Sequence, residues 1–329
     1  MEDMTSHPHS AAEAALGIAA RNALRAPSIF NTQPWQWQIS GPQADLHADR
    51  SRALEVTDPD GRLLLLSLGA ALHHAAVTVA AEGWTPVVTR RPEPDVVARI
   101  RLGGYAPADP QARRLAAAIA RRHTDRRAFG DRPVPEEVLR ELRRAVEAQG
   151  SYLHLVRPEQ VPALAAAVSR AAAEERADPA YREELDRWTH RPHRAGDGVP
   201  AGTAVDTAPR RVPMRDFTPD AEPALVTEGH DAGAAYVILF GASDDPEGWL
   251  RGGEALSALL LTAEAEGLSA SPISEAMETA WPRQLLTELL GGVGTPHLVV
   301  RLGYPDPAAG PAPAAPRRAA AEVIDYPQR

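Results

Sequence analysis

The sequence predicts an α+β fold assembled from two related halves of one chain. Three observations carry that expectation. Helical and strand-like segments are interspersed from end to end. "GAALHHAAVTVAAEG" (69–83) aligns without a gap on "GEALSALLLTAEAEG" (253–267), pairing Gly69 with Gly253, Leu72 with Leu256, Thr78 with Thr262 and Glu82-Gly83 with Glu266-Gly267. Each of these helices then leads to a strand ending in the same triplet, Arg101-Leu102-Gly103 and Arg301-Leu302-Gly303. Ala-rich helices align by chance, but two matches in the same order point to a duplicated unit.

The elements follow from local chemistry. Residues 11–25 read as a helix that stops ahead of Pro27, because the position before proline disfavours helical geometry. Short strands are expected at 35–39 and 46–48. "TDPDGR" (57–62) supplies capping side chains for an apolar helix that runs to Gly83. Strands at 87–90 and 97–102 come next, then a helix from 107–109 to about His123. Residues 135–149 are amphipathic and helical, 152–156 a strand, 162–176 and 179–188 helices. Residues 191–223 are polar, Pro/Gly-rich and without period; so long a loop is a lid, a binding loop or a disordered segment. A strand at 234–240, the repeat helix at 253–267, a helix at 282–290 and a strand at 297–302 complete the series. "GGVG" (291–294) is a turn, and 305–316 is a Pro/Ala-rich linker to a C-terminal tail.

A chain of 329 residues can bury a sizeable core. Its net charge of -9 argues against nucleic acid or an anionic membrane as partner. Cysteine is absent, which excludes disulfides, thiolate catalysis and Cys-based metal sites. Lysine is absent as well, which with the abundance of Ala and Pro reflects a GC-rich genome rather than a function. No basic region followed by an apolar core opens the chain, so a signal peptide is not expected. Residues 63–81 approach a membrane span in length, but Ser67, His73, His74 and Thr78 interrupt them, and they read as a buried core helix. No metal site is expected: His73 and His74 are adjacent on a helix and cannot face one ion, and His190 and His193 have no carboxylate at ligand spacing. The expectation is a soluble, cytoplasmic protein that acts on a small molecule.

Two stretches stand out chemically. "RAPSIFNTQPWQW" (25–37) packs two prolines, two tryptophans and several amide and hydroxyl groups into a rigid turn. It is either a structural Asx/Pro turn that packs its tryptophans or a wall presented to a ligand. "RRHTDRRAF" (121–129) carries four arginines in nine positions plus Thr124. Arginine forks and a hydroxyl suit a phosphate dianion, although a solvated basic face gives the same composition.

Taken together, these stretches resemble the flavin-dependent nitroreductase family. "RHTDRRAF" is similar to its phosphate motif, and "APSIFNTQPW" to its proline–serine…asparagine…glutamine–proline–tryptophan turn. "SPISEA" (271–276) is similar to the turn that faces flavin N5, with Ser-Glu where Glu-Gly is usual. "PRRAAAEVI" (316–324) is similar to the C-terminal segment that returns to the phosphate. The likeness omits only about 174–231. Ordinary members place the phosphate motif first and pair two chains; here the order is reversed and each half lacks one motif. The resemblance therefore implies a nitroreductase-like pseudo-dimer in one chain, of the single-chain Acg-type actinobacterial branch. It implies a first half at 1–106 and a second at 107–329, with a lid insertion at about 174–231.

By that resemblance, the cofactor is FMN, with NAD(P)H as a transient donor. Pro27, Ser28, Ile29 and Asn31 would meet the ring edge. Gln33, Pro34 and Trp35 would lock the turn. Arg122, Thr124 and Arg121 would hold the phosphate, and Arg126 would neutralise the reduced ring near N1. Pro272, Ile273, Ser274 and Glu275 would face N5, and Arg317 and Arg318 would reach the phosphate. His123 and Arg127 read as surface residues. Trp188 and Phe217 of the lid would cover the ring. The flavin itself carries the chemistry, delivering hydride to a nitroaromatic, a quinone or a specialised metabolite. The alternative is a silent FMN storage protein with the lid closed over the flavin. One chain makes the complete site, so a monomer or a loose homodimer is expected.

Overall fold

The computed structural model describes residues 7–327 apart from 190, 201–209, 218–229, 306–309 and 311–313. Much of the segment 191–223 thus lies outside the described residues. Helix α1 (His7–Ala23) precedes the turn and a hairpin of β1 (Trp35–Ser40) and β2 (Gln43–Ala48). Helix α2 (Arg62–Ala81) follows, then a second hairpin, β3 (Trp84–Glu93) and β4 (Val96–Tyr105). The chain continues through α3 (Pro110–Arg121), α4 (Glu136–Glu147), β5 (Tyr152–Leu155), α5 (Val161–Ala177) and α6 (Pro179–Thr189). It returns through β6 (Ala235–Gly241), α7 (Pro246–Ala265), β7 (Ser269–Ile273), α8 (Glu275–Glu278), α9 (Ala280–Leu289) and β8 (Thr295–Gly303). It ends in α10 (Ala320–Val323) and the two-residue strand β9 (Ile324–Asp325).

Helix α2 is apolar almost all round because it is surrounded. Asp58 caps it by accepting from the Leu64 amide at 2.8 Å. It is long and apolar enough to cross a membrane, but it lies buried inside the protein. Helix α7 starts earlier than its apolar pattern suggests, because the Asp245 carboxylate caps Gly248 at 2.8 Å.

The two sheets repeat one plan. Their strand orders are β3-β4-β2-β1-β9 and β5-β6-β8-β7, so β3, β4, β2 and β1 correspond in order to β7, β8, β6 and β5. The hairpin register repeats too. Pro86, Val87 and Val88 face Leu102, Arg101 and Ile100, as Ala270, Ser271 and Pro272 face Leu302, Arg301 and Val300. Gly83 and Gly267 end the two helices at φ 89° and 74°.

The corresponding helices cross at corresponding glycines. A Cβ built on Gly69 would lie 2.0 Å from the Leu250 carbonyl oxygen and 2.9 Å from Gly253 Cα. One built on Gly253 would lie 2.1 Å from the Leu66 carbonyl oxygen and 2.9 Å from Gly69 Cα. Each helix thus makes the same contact to the other, as in an isologous dimer interface. His73 and His74, expected to be structural, are buried in this crossing, their Nδ1 atoms 2.7 and 2.8 Å from Ser257 Oγ.

Two departures from the plan shape the site. Where β1 and β2 are joined by a tight turn through Gly41, β5 and β6 are separated by a long insertion that includes α5 and α6. The inserted material therefore begins well ahead of residue 174. At the other end, β9 leaves the second half and pairs in parallel with β1, Ile324 opposite Trp37. The C-terminal arm of the second half thus completes the sheet of the first. Of residues 271–276, read as a turn, the first three belong to the edge strand β7; Pro272 is tolerated there because its missing N–H is not needed on the open side.

A Gly69→Ala substitution is expected to force the crossing apart and to cost about 2–3 kcal/mol, the range for overpacking. Urea unfolding of both proteins checks this; an unchanged midpoint would mean that the crossing is not tight.

Candidate functional site

The turn at 25–37 is backbone under strain. Phe30, Asn31 and Gln33 all sit at positive φ, 46°, 54° and 51°, which side-chain-bearing residues rarely adopt. The turn is held from three sides. Within it, Ser28 Oγ accepts from the Gln33 amide at 2.9 Å. From α2, Ser67 Oγ accepts from the Ile29 amide at 3.1 Å. From behind, Trp35 and Trp37 are buried in the first core.

Asn31 and Gln33 then fasten two other segments onto the turn. Asn31 Nδ2 donates to the carbonyls of Gly198 at 3.0 Å and Pro316 at 3.1 Å. Gln33 Nε2 donates to the Gly196 carbonyl at 2.8 Å, and its Oε1 accepts from the Arg318 amide at 3.0 Å. The inserted segment is also tied down by charge: Asp197 pairs with both Arg52 and Arg191, and both guanidinium groups lie over the Trp188 ring.

The basic stretch leaves the end of α3 and divides into structural and free cations. Arg127 is not a surface residue. It is buried and pairs with Asp125 through two nitrogens at 2.9 and 2.8 Å. Burial raises the Asp125 carboxyl, but the Arg127 pair outweighs this and holds it well below the usual carboxylate range. Arg301 joins this network, bonding to Asp231 at 2.7 Å and to the carbonyls of Asp125 and Arg127. Arg121 points outward to Glu264 at 3.1 Å and lines neither cavity described below.

Arg122 and Arg317 behave differently. The Nη2 atoms of both donate to one acceptor, the Arg25 carbonyl oxygen, at 3.2 and 3.1 Å. Among the described residues, Nε and Nη1 of Arg122 and Nε of Arg317 are buried without a hydrogen-bond partner. Arg317 is steered by Asn31 Oδ1, which accepts from its Nη1 at 3.1 Å. Burial lowers Arg122 to about 10, and burial with repulsion from Arg122 and Arg25 lowers Arg317 to about 9. Buried Nε2 of His74 is unpaired too, and burial, then Arg122, keep this imidazole well below its usual range and neutral. Two neighbouring cations with unused donors have the chemistry to hold an anion.

Two adjoining cavities open from this point. The first, about 730 Å³, runs between the turn and Pro272, Ser274 and Glu275, with Phe217 and Met214 on its lid side. The second, about 540 Å³, contains Arg122, His123, Arg317 and Asn31, capped by Gly198 and Pro200 of the insertion. Pro27, Ser28, Phe30, Thr124 and Arg126 line both. Arg126 lies 4.6 Å from the Phe217 ring centroid, and burial, partly offset by Glu275, lowers it to about 10.

The structure therefore gathers Pro27, Ser28, Ile29, Asn31, Arg122, Thr124, Arg126, Pro272, Ser274, Glu275, Phe217 and Arg317 around one space. Four expected residues are elsewhere. Arg121 is on the surface, and Ile273 is packed in the second core. Trp188 lies in a small cluster behind the lid. Arg318 holds the turn, its Nη1 3.2 Å from the Gln33 carbonyl and 3.4 Å from Asp49. Sequence reasoning missed Met214, Arg215 and the wall of α2, Leu63, Leu66 and Ser67. Ser67 is one of four polar interruptions of that apolar helix, with His73, His74 and Thr78, and nothing in the sequence sets it apart.

This architecture, two sheets of one plan around two adjoining cavities, has a family. Residues 119–304 match the model of the nitroreductase family, and the chain belongs to that family. It is 38% identical over 312 residues to "Putative NAD(P)H nitroreductase Rv3131" of Mycobacterium tuberculosis H37Rv, covering 93% of this chain and 90% of that protein. It is 35% identical over 312 residues to "Putative NAD(P)H nitroreductase acg" of the same strain, covering 93% and 94%. A crystal structure of the FMN and NADPH-dependent nitroreductase NfnB from sphigopyxis sp. strain HMH aligns at TM-score 0.42 and 19% identity, over 65% of this chain and 99% of that one.

Replacing Arg122 by Met is expected to stabilise the flavin-free protein by about 1–2 kcal/mol at pH 7, because it removes an uncompensated buried charge. A cation whose folded pKa is lowered costs stability while protonated, and that cost fades as the pH rises through the folded value. The advantage of the variant should therefore begin to shrink at about pH 10. Urea unfolding at several pH values tests this, and a destabilised variant at pH 7 would refute it.

Proposed function

We propose that the chain is an FMN-dependent oxidoreductase that takes reducing equivalents from NAD(P)H and passes them to a nitroaromatic, a quinone or a specialised metabolite. The observation that carries this reading is the pair Arg122 and Arg317, sharing one carbonyl and, among the described residues, holding buried, unused N–H groups beside a cavity. The residues fit FMN: a phosphate dianion satisfies those donors, and the adjoining 730 Å³ cavity has the apolar and polar walls that a flavin ring needs. The names of the 38% and 35% identical relatives support the nicotinamide donor.

When bound, FMN supplies the hydride chemistry. The chain supplies the rest. Arg122 and Arg317 bind the phosphate, with Asn31 orienting Arg317 and Thr124 offering a hydroxyl. Arg126, which lines both cavities, would supply positive charge to a ring held there. Phe217 and Met214 exclude water from the ring side.

A second reading, FMN storage without turnover, is favoured by the ties that hold the insertion closed: Asn31 to Gly198, Gln33 to Gly196, and Asp197 to Arg52. Removal of the ties separates the two. If Asp197→Ala raises NADPH oxidation while FMN binding persists, closure limits the wild type. If it lowers a specific activity, the lid shapes a substrate pocket.

The direct test is an absorbance spectrum of the purified protein after FMN is added, followed by anaerobic NADPH. Flavin bands that bleach are expected. Arg122→Ala and Arg317→Ala should each weaken FMN binding roughly 10- to 100-fold, the worth of one charge-assisted hydrogen bond. Arg121→Ala should leave it unchanged. No flavin uptake by the wild type would sink the reading.

A further inference from the structure

A buried acid cluster separates the ring-side cavity from a third cavity of about 450 Å³, which Asp58, Arg62 and His297 line. The two cavities share Leu63 and Leu66 as a wall. At one end of that wall, Glu275 lines the ring-side cavity and Glu278 the third. These carboxylates are three residues apart, on one turn of α8. Between them lies Arg215, a lid residue. Its Nη2 is 2.6 Å from Glu278 and 3.5 Å from Glu175 of α5, and its Nε is 3.5 Å from Glu275. Tyr181 of α6 hydrogen-bonds to Arg215 and approaches Glu278 at 3.4 Å.

The charges do not balance. Three carboxylates and one guanidinium are withdrawn from water, with side-chain exposures of 6% for Glu175, 5% for Glu275, 2% for Glu278 and 6% for Arg215. The other charged groups facing them are Arg126 on the Glu275 side and Asp58 on the Glu278 side. Glu184, also on α6, is spent capping the amides of Val56 and Thr57. Like carboxylates in a dry site cannot all ionise, so one keeps its proton. Glu175 is that one. Its Oε1 is buried without a hydrogen bond among the described residues; its contact with Arg215 is longer than that of Glu278 and equal to that of Glu275, but Glu275 has Arg126 beside it as well. Burial pushes it up to about 8, Arg215 opposes this, and Glu278 and Glu275 add to the rise.

We propose that this cluster is a proton store, which donates through Glu275 to an acceptor reduced in the ring-side cavity and refills from water through the third cavity by way of Glu278. The inference rests on the oxidoreductase reading above. For a quinone the balance is one hydride and one proton per hydroquinone. The hydride originates in NAD(P)H, which is oxidised. The O–H bond of the glutamic acid breaks, an O–H bond forms on the reduced quinone, and water reprotonates the carboxylate.

The experiment uses Glu175→Gln and two measurements. Infrared spectra of the flavin-free protein should show the C=O stretch of a buried carboxylic acid at pH 7. That band should fade as the pH passes about 8 and should be missing from the variant. With FMN loaded, the variant should reduce a benzoquinone with kcat lowered at least tenfold and KM unchanged. It should reduce ferricyanide, which takes electrons and no proton, at the wild-type rate. Absence of the acid band at pH 7, its persistence in the variant, or equal losses with both acceptors would overturn the proposal. Glutamine is nearly isosteric with a protonated glutamate, so a variant that fails to fold would also overturn it. Should the wild type take up no FMN, the oxidoreductase reading fails by itself, and the infrared arm alone decides whether the proton is there.

Discussion

The close crossing of α2 and α7 at Gly69 and Gly253 is the contact on which the rest depends. With no side chain on either residue, the backbones meet at a distance that any Cβ would forbid. That approach brings the second half's basic stretch next to the first half's strained turn. It also makes α2 a shared wall: one face packs α7, Ser67 pins the turn at Ile29, and Leu63 and Leu66 border two cavities. Movement of this crossing by an ångström would shift every element of the site at once.

What the crossing assembles is poorly compensated on purpose. Arg127 and Arg301 show how this chain satisfies a buried guanidinium when the role is structural, with carboxylates and carbonyls on nearly every nitrogen. Arg122 shares the Arg25 carbonyl with Arg317 and finds no acceptor for Nε and Nη1 among the described residues, whereas Arg317 also bonds to Asn31 Oδ1 and the Pro316 carbonyl and leaves only Nε unused. The contrast within one molecule separates a scaffold from a binding site more clearly than any count of arginines. Around Arg215 the sign is reversed: here negative charge is in excess and a proton resolves it. The site thus has a cationic end suited to phosphate and an acidic end suited to proton exchange, with apolar walls between them.

The insertion and the C-terminal arm close this space by gripping the same turn. Three residues at positive φ hold Asn31 and Gln33 where their amides meet backbone carbonyls of both segments. Strain in the turn is sustained because the neighbours over-determine it. The price is a lid whose position is set by hydrogen bonds to the ligand-facing element itself, so opening the lid and loosening the turn are one event.

The sequence by itself determined the repeat, the position of most elements and which motifs belong together. The repeated glycines and the Arg-Leu-Gly triplets record the crossing and the hairpin register, because both depend on residues at fixed local spacing. Tertiary structure decided the fates of individual arginines. Arg121, Arg122, Arg126 and Arg127 are indistinguishable in "RRHTDRRAF", yet one is on the surface, one is unpaired at the anion site, one lines the ring-side cavity and one is locked to Asp125. Their roles depend on what lies opposite: Asp125 is near Arg127 in sequence, but Arg25, Glu264 and Phe217, which meet Arg122, Arg121 and Arg126, are far away along the chain. The acid cluster was hidden for the same reason. Glu175, Arg215 and Glu278 sit in three unrelated stretches, and only burial together, where water cannot screen them, makes their charges count.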